Sequence, residues 1–273
     1  RLVARVEETQ LSRLPLLTAP LRAVFFLSRF AEYAILFLMS DRTELQKVAC
    51  FDVDGTIFRS SRLIELVEAL IAQGSFPESV RDTFRVREAE WRDRKGDYES
   101  YIEAVVRAFM EHLKGLPVAE FDRASSLVID RNHDRVYRYT RDLVSELKRD
   151  GYFLLAISHS PKWLLDKFCK EYGFDKVYGK RYEIDADDRF TGEIVDDAVF
   201  ENKAEVLRRA VAVEGLTLEG SVGVGDTEGD IPMLSLVARP ICFNPNASLY
   251  AHAQQAGWGV VVERKDVIYR LPF

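Results

Sequence analysis

The residues best suited to chemistry are two groups of carboxylates. Asp52 and Asp54 stand two apart in the run Asp-Val-Asp-Gly-Thr, and Asp226 and Asp230 stand four apart in the run Gly-Asp-Thr-Glu-Gly-Asp. Because residues two apart on a strand point the same way, Asp52 and Asp54 can face one site. Carboxylates from different strand ends bind a hard cation, and Mg²⁺ together with a phosphate is the usual partner of such a set. The four aspartates therefore predict a Mg²⁺ site.

Three further residues suit a phosphate group. Gly55 permits a tight turn, and the backbone N–H groups after it can cradle an anion. Ser158 follows the apolar run 152–157 and offers a hydroxyl and an N–H group, and Lys203 offers a cation at the start of a predicted helix. Because carboxylates repel a phosphate dianion, the metal ion and Lys203 are both needed to bind it.

Each of these residues has an ordinary alternative explanation. Ser158 by itself would be a helix cap, Lys203 a solvated helix residue, and Asp226 with Asp230 an Asp-rich turn. The pattern of Asp52–Thr56 is more specific, because its four fixed residues recur by chance about once in 10⁵ positions. Their occurrence together, each at a strand end or a helix start, favours a single site.

Such a site is suited to phosphoryl transfer in two steps. A carboxylate beside the metal can attack phosphorus and form an acyl phosphate. A second carboxyl group can protonate the leaving oxygen and then activate water. Lysine, serine and backbone N–H groups can stabilise the transferring phosphoryl group.

The elements that must position these residues alternate between strand and helix. Apolar runs predict strands at 47–53, 152–157, 221–224, 240–243 and 258–262, the last one in the chain, and a strand followed by a hairpin over 176–195. The helical spacing of apolar residues predicts helices in the segments between these strands. The span from about 60 to 132 contains helical patterns only. We therefore expect an α/β fold, a parallel sheet with helices on both faces and a helical insertion. Ligands of such sheets bind at the carboxyl ends of the strands.

Composition excludes several classes of protein. The 273 residues include 38 Lys and Arg against 44 Asp and Glu, a net charge of −6, which disfavours sequence-independent nucleic-acid binding. The three cysteines are far apart and odd in number, which argues against a disulfide scaffold and a zinc site. The pattern is typical of a cytoplasmic protein.

Residues 1–46 are predicted to be an N-terminal extension, helical and either docked or peripheral. The stretch 23–39 is mostly apolar but is interrupted by Arg29 and Glu32. A spanning helix needs about 20 apolar residues with few charges, so a helix with a narrow polar stripe is the better interpretation. Such a helix could dock on the domain, lie on a membrane surface or mediate self-association, and nothing further in the sequence supports the membrane contact.

At this point the motifs resemble those of a known family. Phe51–Thr56, Ser158, Lys203 and Gly225–Asp230 are similar to the four motifs of the haloacid dehalogenase superfamily of hydrolases, and the resemblance covers about residues 47–265. The order of motifs and helical insertion resembles the phosphoserine-phosphatase-like subfamily IB.

The resemblance implies both a fold and a function. The fold would be a Rossmann-like core of residues 47–59 and 133–273, interrupted by a helical C1 cap at 60–132. The function would be that of a Mg²⁺-dependent phosphatase that acts through an aspartyl-phosphate on a small phosphorylated metabolite.

The resemblance also implies roles for single residues. Asp52 would be the nucleophile and a metal ligand, and Asp54 the general acid and base, giving the metal its backbone carbonyl. Asp226 would bind the metal directly, and Asp230 would act on metal-bound water or orient Lys203. The residues implied to bind the phosphoryl group are Gly55, Thr56, Ser158 and Lys203.

The chain departs from phosphoserine phosphatases at two places. Those enzymes carry a glutamate nine residues after the nucleophile, which meets the amino group of the substrate, whereas Ser61 stands here between Arg59 and Arg62. They also carry glycines after the serine of the second motif, where this chain has His159 and Ser160. Both differences argue against phosphoserine, and Arg59, Arg62 and His159 become candidate substrate contacts, the arginines favouring a more anionic substrate.

Other functions remain as alternatives. A phosphotransferase would use the same residues and pass the phosphoryl group to an alcohol. A phospho-accepting regulatory module would need neither Asp54 nor a cap, and a dehalogenase of the same superfamily would need no metal ion.

Overall fold

The computed structural model of the protein describes residues 45–195 and 202–271. The apolar stretch 23–39 lies outside the described residues. Within the two described ranges, no helix is both long enough and apolar enough to cross a membrane.

Strands and helices alternate along the described chain, apart from a run of helices after the first strand and two pairs of consecutive strands. The first strand is followed by that run: β1 Gln46–Phe51, α1 Arg62–Ala72, α2 Val80–Arg92, α3 Tyr98–Leu113 and α4 Val118–Asn132. The middle of the chain contains α5 Arg138–Arg149, β2 Phe153–Pro161, α6 Lys162–Glu171, β3 Lys176–Ile184 and β4 Phe190–Val195. The last part contains α7 Lys203–Glu214, β5 Leu216–Gly225, α8 Ile231–Leu234, β6 Arg239–Phe243, α9 Ala247–Ala256, β7 Gly259–Arg264 and β8 Val267–Leu271.

The described strands form one eight-stranded sheet in the order β4-β3-β2-β1-β5-β6-β7-β8. The six central strands are parallel, and β4 and β8 are antiparallel at the two edges. The predicted α/β fold, with helices on both faces of a mainly parallel sheet and a helical insertion, is confirmed.

One strand prediction was wrong, because 258–262 is not the last strand. The strand β8 pairs antiparallel with β7, with Arg264 opposite Val267. The turn between them contains Lys265 at a φ of 53° and no glycine, so the usual hairpin signal is missing. The segment Val267–Leu271 is itself mostly apolar, although all of its side chains are exposed or half-buried, so the turn is the part of this hairpin that carries no signal.

Alternation along β1 divides the core into two layers. Ala49 and Phe51 pack into the cluster that includes α5 and α6, whereas Val48 and Cys50 pack into the cluster that includes α7, α8 and α9. This follows from the two-residue period of a strand, which sends neighbouring side chains to opposite faces. A strand buried on both faces holds its carboxyl end rigidly, which suits it for carrying a reactive group.

The four helices α1 to α4 have a separate apolar cluster. Phe84, Phe109 and Phe121 are fully buried in it, and Leu164 of α6 and Phe190 of β4 join it from the α/β part. We call residues 60–132 the cap, and this boundary remains a prediction. The insertion thus packs on the sheet domain through apolar contacts while retaining its own core.

Candidate active site

Two neighbouring strands bring the acidic motifs together. β1 and β5 pair in parallel, with Phe51 opposite Val224, and the Asp52 N–H donates to the Val224 carbonyl at 2.9 Å. The chain segments that follow these strands, which carry Asp52 and Asp226, therefore leave the sheet side by side. Ser158 lies on the other side of β1, within β2, whose register shifts between Ile157 and Pro161.

The centre of the site is a buried lysine between two buried aspartates. Lys203 Nζ donates to Asp52 Oδ1 at 2.5 Å and to Asp230 Oδ1 at 2.6 Å. All three residues are buried, at 4%, 5% and 0% exposure respectively. Lys203 is the first residue of α7, and the Asn202 side chain accepts from the Ala204 N–H and caps that helix. The cap fixes the point from which the lysine reaches across the strand ends.

Burial makes the charges of this group interact strongly. Desolvation lowers the pKa of Lys203, but the charges of Asp230 and Asp52 outweigh it, so the net pKa is raised and the lysine stays protonated. Burial raises the pKa of Asp52 to about 7; Lys203 opposes that rise, and Asp230 and Asp54 add to it. One cation serves several carboxylates, so the site is short of positive charge.

Asp230 uses both of its oxygens within the protein. Oδ2 accepts from the Asp226 N–H at 2.9 Å and from the Thr227 N–H at 3.1 Å, while Oδ1 holds Lys203. Gly225 makes this closure possible, because a Cβ atom there would lie 2.5 Å from Asp230 Cβ. Asp230 therefore holds the loop after β5 and positions Lys203.

Asp54 is held at the beginning of the cap. Its carboxylate accepts from the Arg62 N–H at 2.6 Å and from the Ser158 hydroxyl at 2.8 Å. Arg62 is the first residue of α1, where backbone N–H groups have no partner within the helix. The Ser158 hydroxyl also accepts from the Ser160 N–H at 3.0 Å. Asp54 thus links the cap helix to the strand end that carries Ser158.

Thr56 and Gly55 shape the position of Asp226. The Thr56 hydroxyl donates to Asp226 Oδ1 at 3.0 Å. Gly55 has a φ of 79°, and a Cβ atom there would lie 2.0 Å from Asp226 Oδ2. Burial and the charges of Asp52 and Asp230 raise the pKa of Asp226. Asp226 is only half-buried, so it is the aspartate through which this acidic group meets the surface.

The donor set fits a magnesium ion. Asp52 Oδ2 is buried and has no hydrogen-bond partner among the described residues, which is costly for a carboxylate oxygen that no cation satisfies. Within 45–195 and 202–271, no three His, Cys, Asp or Glu side chains already form a complete metal site. Mg²⁺ needs only one or two carboxylates, because waters and a substrate phosphate complete its shell. Asp52 and Asp226 are the two carboxylates that could hold it.

The three candidate substrate contacts occupy different environments. Arg59 binds Glu263 at 2.6 Å and the Val136 carbonyl at 2.8 Å. Arg62 is fully buried, with its guanidinium carbon 3.5 Å from the ring centroid of Phe168 and 4.0 Å from that of Phe58.

Burial lowers the pKa of Arg62 to about 10. Its guanidinium nitrogens have no hydrogen-bond partner in the described part of the chain, and Arg62 is not among the residues that line the cleft described next. His159 is exposed, between the buried Ser158 and Ser160.

A cleft of about 990 Å³ opens over this group of residues. Its lining includes Gly55, Asp226 and Thr227 from the motifs. The cleft also has an aromatic lining that the sequence did not predict, formed by Trp91, Tyr98, Tyr101 and Tyr137. The three-residue spacing of Tyr98 and Tyr101 on one helix was the available signal, but nothing local places Trp91 or Tyr137 near them. Another cavity, of about 870 Å³, is lined by none of the motif residues.

The family of the protein follows from the motifs and from comparison with known proteins. The model of the haloacid dehalogenase-like hydrolases matches residues 49–235. The chain belongs to this family. The predicted hydrolase of the phosphoserine-phosphatase-like type is confirmed, and the matched range contains every motif residue described above.

Individual relatives are distant but cover most of the chain. The phosphoserine phosphatase SerB1 of Mycobacterium tuberculosis (strain ATCC 25618 / H37Rv) is 27% identical over 221 residues, which are 80% of this chain and 71% of that protein. A histidinol-phosphatase of Neisseria meningitidis serogroup C (strain 8013) is 25% identical over 224 residues, 80% of this chain and 99% of that one. A solved phosphoserine phosphatase holding an analogue of the phospho-aspartyl intermediate has a TM-score of 0.56 at 23% identity, over 82% of this chain and 96% of that one, and supports the fold.

Proposed function

We propose that this hydrolase removes the phosphoryl group from a small phosphorylated metabolite, with Mg²⁺ bound and with Asp52 as the nucleophile. The observation that carries the proposal is the buried Lys203, which holds one oxygen of Asp52 and leaves Oδ2 without a partner among the described residues. A carboxylate fixed by one oxygen and free at the other is positioned to bind a cation or to attack phosphorus.

In the first step a carboxylate oxygen of Asp52 forms a bond to phosphorus, and the bond between phosphorus and the ester oxygen breaks. Asp54, when protonated, gives its proton to the departing oxygen, which leaves as an alcohol. Lys203 and Ser158 are the side chains that donate to the phosphoryl oxygens. The Ser158 hydroxyl binds Asp54 in this structure, so it must turn toward the phosphate when substrate binds.

In the second step a water molecule attacks phosphorus and loses its proton to Asp54. The bond between Asp52 and phosphorus breaks, inorganic phosphate leaves, and both carboxyl groups return to their starting protonation states. Bound Mg²⁺ supplies positive charge that offsets the repulsion between the carboxylates and the phosphate. Asp52 and Asp226 are the proposed side-chain ligands, with the Asp54 carbonyl as a third donor.

The relatives support a small phosphorylated substrate, since two of them are named for phosphoserine and for histidinol phosphate. The three cysteines are buried free thiols, which agrees with the cytoplasm as the proposed location.

The test is phosphate release from a panel of small phosphomonoesters with and without Mg²⁺. We expect release only with Mg²⁺, and a loss of at least about 10³-fold in kcat for Asp52→Asn. Asp166→Asn is the matched control, because Asp166 lies on α6 and is bonded only to Lys162. Full activity of Asp52→Asn would refute the nucleophile.

A second measurement separates hydrolysis from transfer to an alcohol. We expect inorganic phosphate as the main product even when glycerol is added in excess. Glycerol phosphate as the main product would instead identify a phosphotransferase that uses the same intermediate.

A further inference from the structure

The cap contributes an aromatic wall to the cleft, formed by Trp91, Tyr98 and Tyr101. The Trp91 and Tyr101 rings are stacked, with centroids 5.6 Å apart and planes at 21°, and the Tyr98 ring centroid lies 5.4 Å from that of Trp91. Tyr101 is buried at 3% exposure, whereas Trp91 and Tyr98 are half-buried. Tyr101 therefore supports the wall from behind, and Trp91 and Tyr98 are the rings that a ligand can reach.

Local structure holds these rings in place. Tyr98 is the first residue of α3, and the Asp97 side chain caps that helix by accepting from the Ser100 N–H at 2.7 Å. Tyr98 and Tyr101 are three residues apart and so share one face of the helix. Because Asp97 fixes the start of α3 and the three rings pack on one another, the wall is preformed and costs little ordering when a ligand binds.

The wall belongs to the cleft that reaches the motif loops after β1 and β5. The cleft is lined by Gly55 and Asp226 at its motif end and by Trp91 and Tyr98 from the cap, with Tyr137 contributed by the segment before α5. Burial raises the pKa of Tyr98, and the negative charges of Asp54 and Asp226 raise it further. A substrate whose phosphate lies at the strand ends would therefore carry its leaving group toward Tyr98.

The charged side chains of the cleft are already paired with one another. Each arginine that lines the described cleft has a carboxylate partner: Arg59 with Glu263 at 2.6 Å, Arg81 with Glu68 at 2.7 Å, Arg92 with Glu88 at 2.6 Å, and Arg135 with Glu65 at 2.8 Å. The glutamates of that lining are the partners of three of these arginines. A charged leaving group finds no unpaired side chain of opposite charge among these pairs, whereas an uncharged one needs none.

We propose that the leaving alcohol carries an uncharged planar ring, which packs against Trp91 and Tyr98; this inference rests on the proposed phosphatase function. Stacked or edge-on aromatic pairs are favourable beyond the area they bury, and a ring fits a preformed apolar wall with few polar anchors. A cationic group would also be attracted by aromatic faces, but the glutamates of the cleft are already paired with arginines and offer it no unpaired carboxylate. The substrate class is therefore an arylmethyl or heteroarylmethyl phosphate.

The experiment compares benzyl phosphate with cyclohexylmethyl phosphate, O-phosphoserine and phosphocholine in the presence of Mg²⁺. The first two release primary alcohols of similar size, so a difference in kcat/KM reports on the planar ring. We expect kcat/KM for benzyl phosphate to exceed that for cyclohexylmethyl phosphate about fivefold. We expect the two charged substrates to be slower than benzyl phosphate by at least about tenfold.

Variants then locate the effect on the aromatic wall. Trp91→Leu and Tyr98→Leu should bring the ratio of benzyl to cyclohexylmethyl phosphate close to one, whereas Tyr98→Phe, which keeps the ring, should preserve it. Trp163→Leu is the matched control, because Trp163 lies on α6 outside the lining of this cleft. If Trp91→Leu does not fold, the proposal is tested by comparing the ratio of benzyl to cyclohexylmethyl phosphate in Tyr98→Leu with that in Tyr98→Phe.

Acetyl phosphate distinguishes a failure of the proposed phosphatase function from a failure of the proposed ring preference, because it is a substrate without a ring. No hydrolysis of acetyl phosphate or of any ester by the unaltered protein with Mg²⁺ would overturn the proposed function and this inference with it. Hydrolysis of acetyl phosphate without a preference for benzyl phosphate, or with phosphoserine or phosphocholine as the best ester, would overturn this inference alone. A ring preference that survives both leucine variants would also overturn it.

Discussion

The carboxyl edge of the sheet and the cap wall of the cleft arrange charge in opposite ways. At the sheet edge, Lys203 is the one buried lysine of the described chain and lies among Asp52, Asp226 and Asp230, so negative charge is in excess. At the cap side of the cleft, each glutamate of the lining pairs with an arginine, and these side chains remain partly exposed.

This difference separates the two tasks of the site. An excess of buried carboxylates creates a demand for a cation, which a metal ion and a phosphate together can satisfy. At the cap side of the cleft the charges of arginines and glutamates are paired and partly solvated, so they create no such demand. The aromatic side chains there are available to select the leaving group. Reaction type and substrate choice are thus carried by different parts of the chain.

The largest effect should come from removing the buried cation. Lys203→Met leaves two buried carboxylates without their partner, and we expect a loss of about 3–5 kcal/mol in the free energy of unfolding without Mg²⁺, measured by urea denaturation at pH 7. Lys167→Met removes an exposed lysine that binds Asp122 at 2.7 Å and should cost at most about 1 kcal/mol. Equal losses in the two variants would contradict the comparison.

The next effect should come from crowding Asp226. Gly55→Ala places a Cβ atom against Asp226 Oδ2, and we expect Mg²⁺ affinity to fall by about 10- to 100-fold in isothermal titration calorimetry. Gly74→Ala is a matched control, because Gly74 has a similar φ of 83° but open space around its Cβ position. Both variants should pay the same conformational penalty of about 1 kcal/mol. Similar Mg²⁺ affinities for the two would refute a metal role for Asp226.

A smaller effect should appear with pH. Burial raises the pKa of Asp52 from its ordinary value near 3.8 to about 7, so between these pH values the folded metal-free protein holds a proton that the unfolded chain has lost. Mg²⁺ must displace that proton, and we expect its affinity to fall by roughly tenfold from pH 7 to pH 5.5. The same shift makes the metal-free protein less stable as pH rises through 7.

Calorimetry at several pH values checks this dependence. Asp52→Asn has no proton to displace at this position and should bind Mg²⁺ weakly with a flatter pH profile. An affinity that is constant from pH 5.5 to 8.5 in the unaltered protein would contradict the raised pKa.

The smallest effect should come from the cap wall. Arg135 and Glu65 are joined at 2.8 Å, with side chains 48% and 22% exposed. We expect a coupling energy of at most about 1 kcal/mol from a double-mutant cycle of their alanine variants, measured as unfolding free energy. A coupling energy of about 3–5 kcal/mol, equal to the loss expected for Lys203→Met, would mean that this ion pair contributes as much to stability as the buried charges of the sheet edge, and would contradict the comparison.

Sequence reasoning found the acidic motifs because their spacing is local. Asp52 and Asp54 share a tight pattern, and Asp226 and Asp230 flank one short turn, so the alternation of strands and helices was enough to predict that they meet. It failed for β8, because the turn before that strand contains no glycine. It also did not predict that Arg62, at the start of a helix, is buried against Phe58 and Phe168.

By itself the sequence determined the α/β alternation, the helical insertion and the residue types of a phosphoryl-transfer site, because periodicity and motif spacing are encoded within short segments. Only the tertiary structure decided that both oxygens of Asp230 are used within the protein, that Asp52 retains a free oxygen, and that Trp91 meets Tyr98 beside the site. These outcomes depend on contacts between segments far apart in the chain, whose geometry is fixed by packing of the whole core and not by any local pattern.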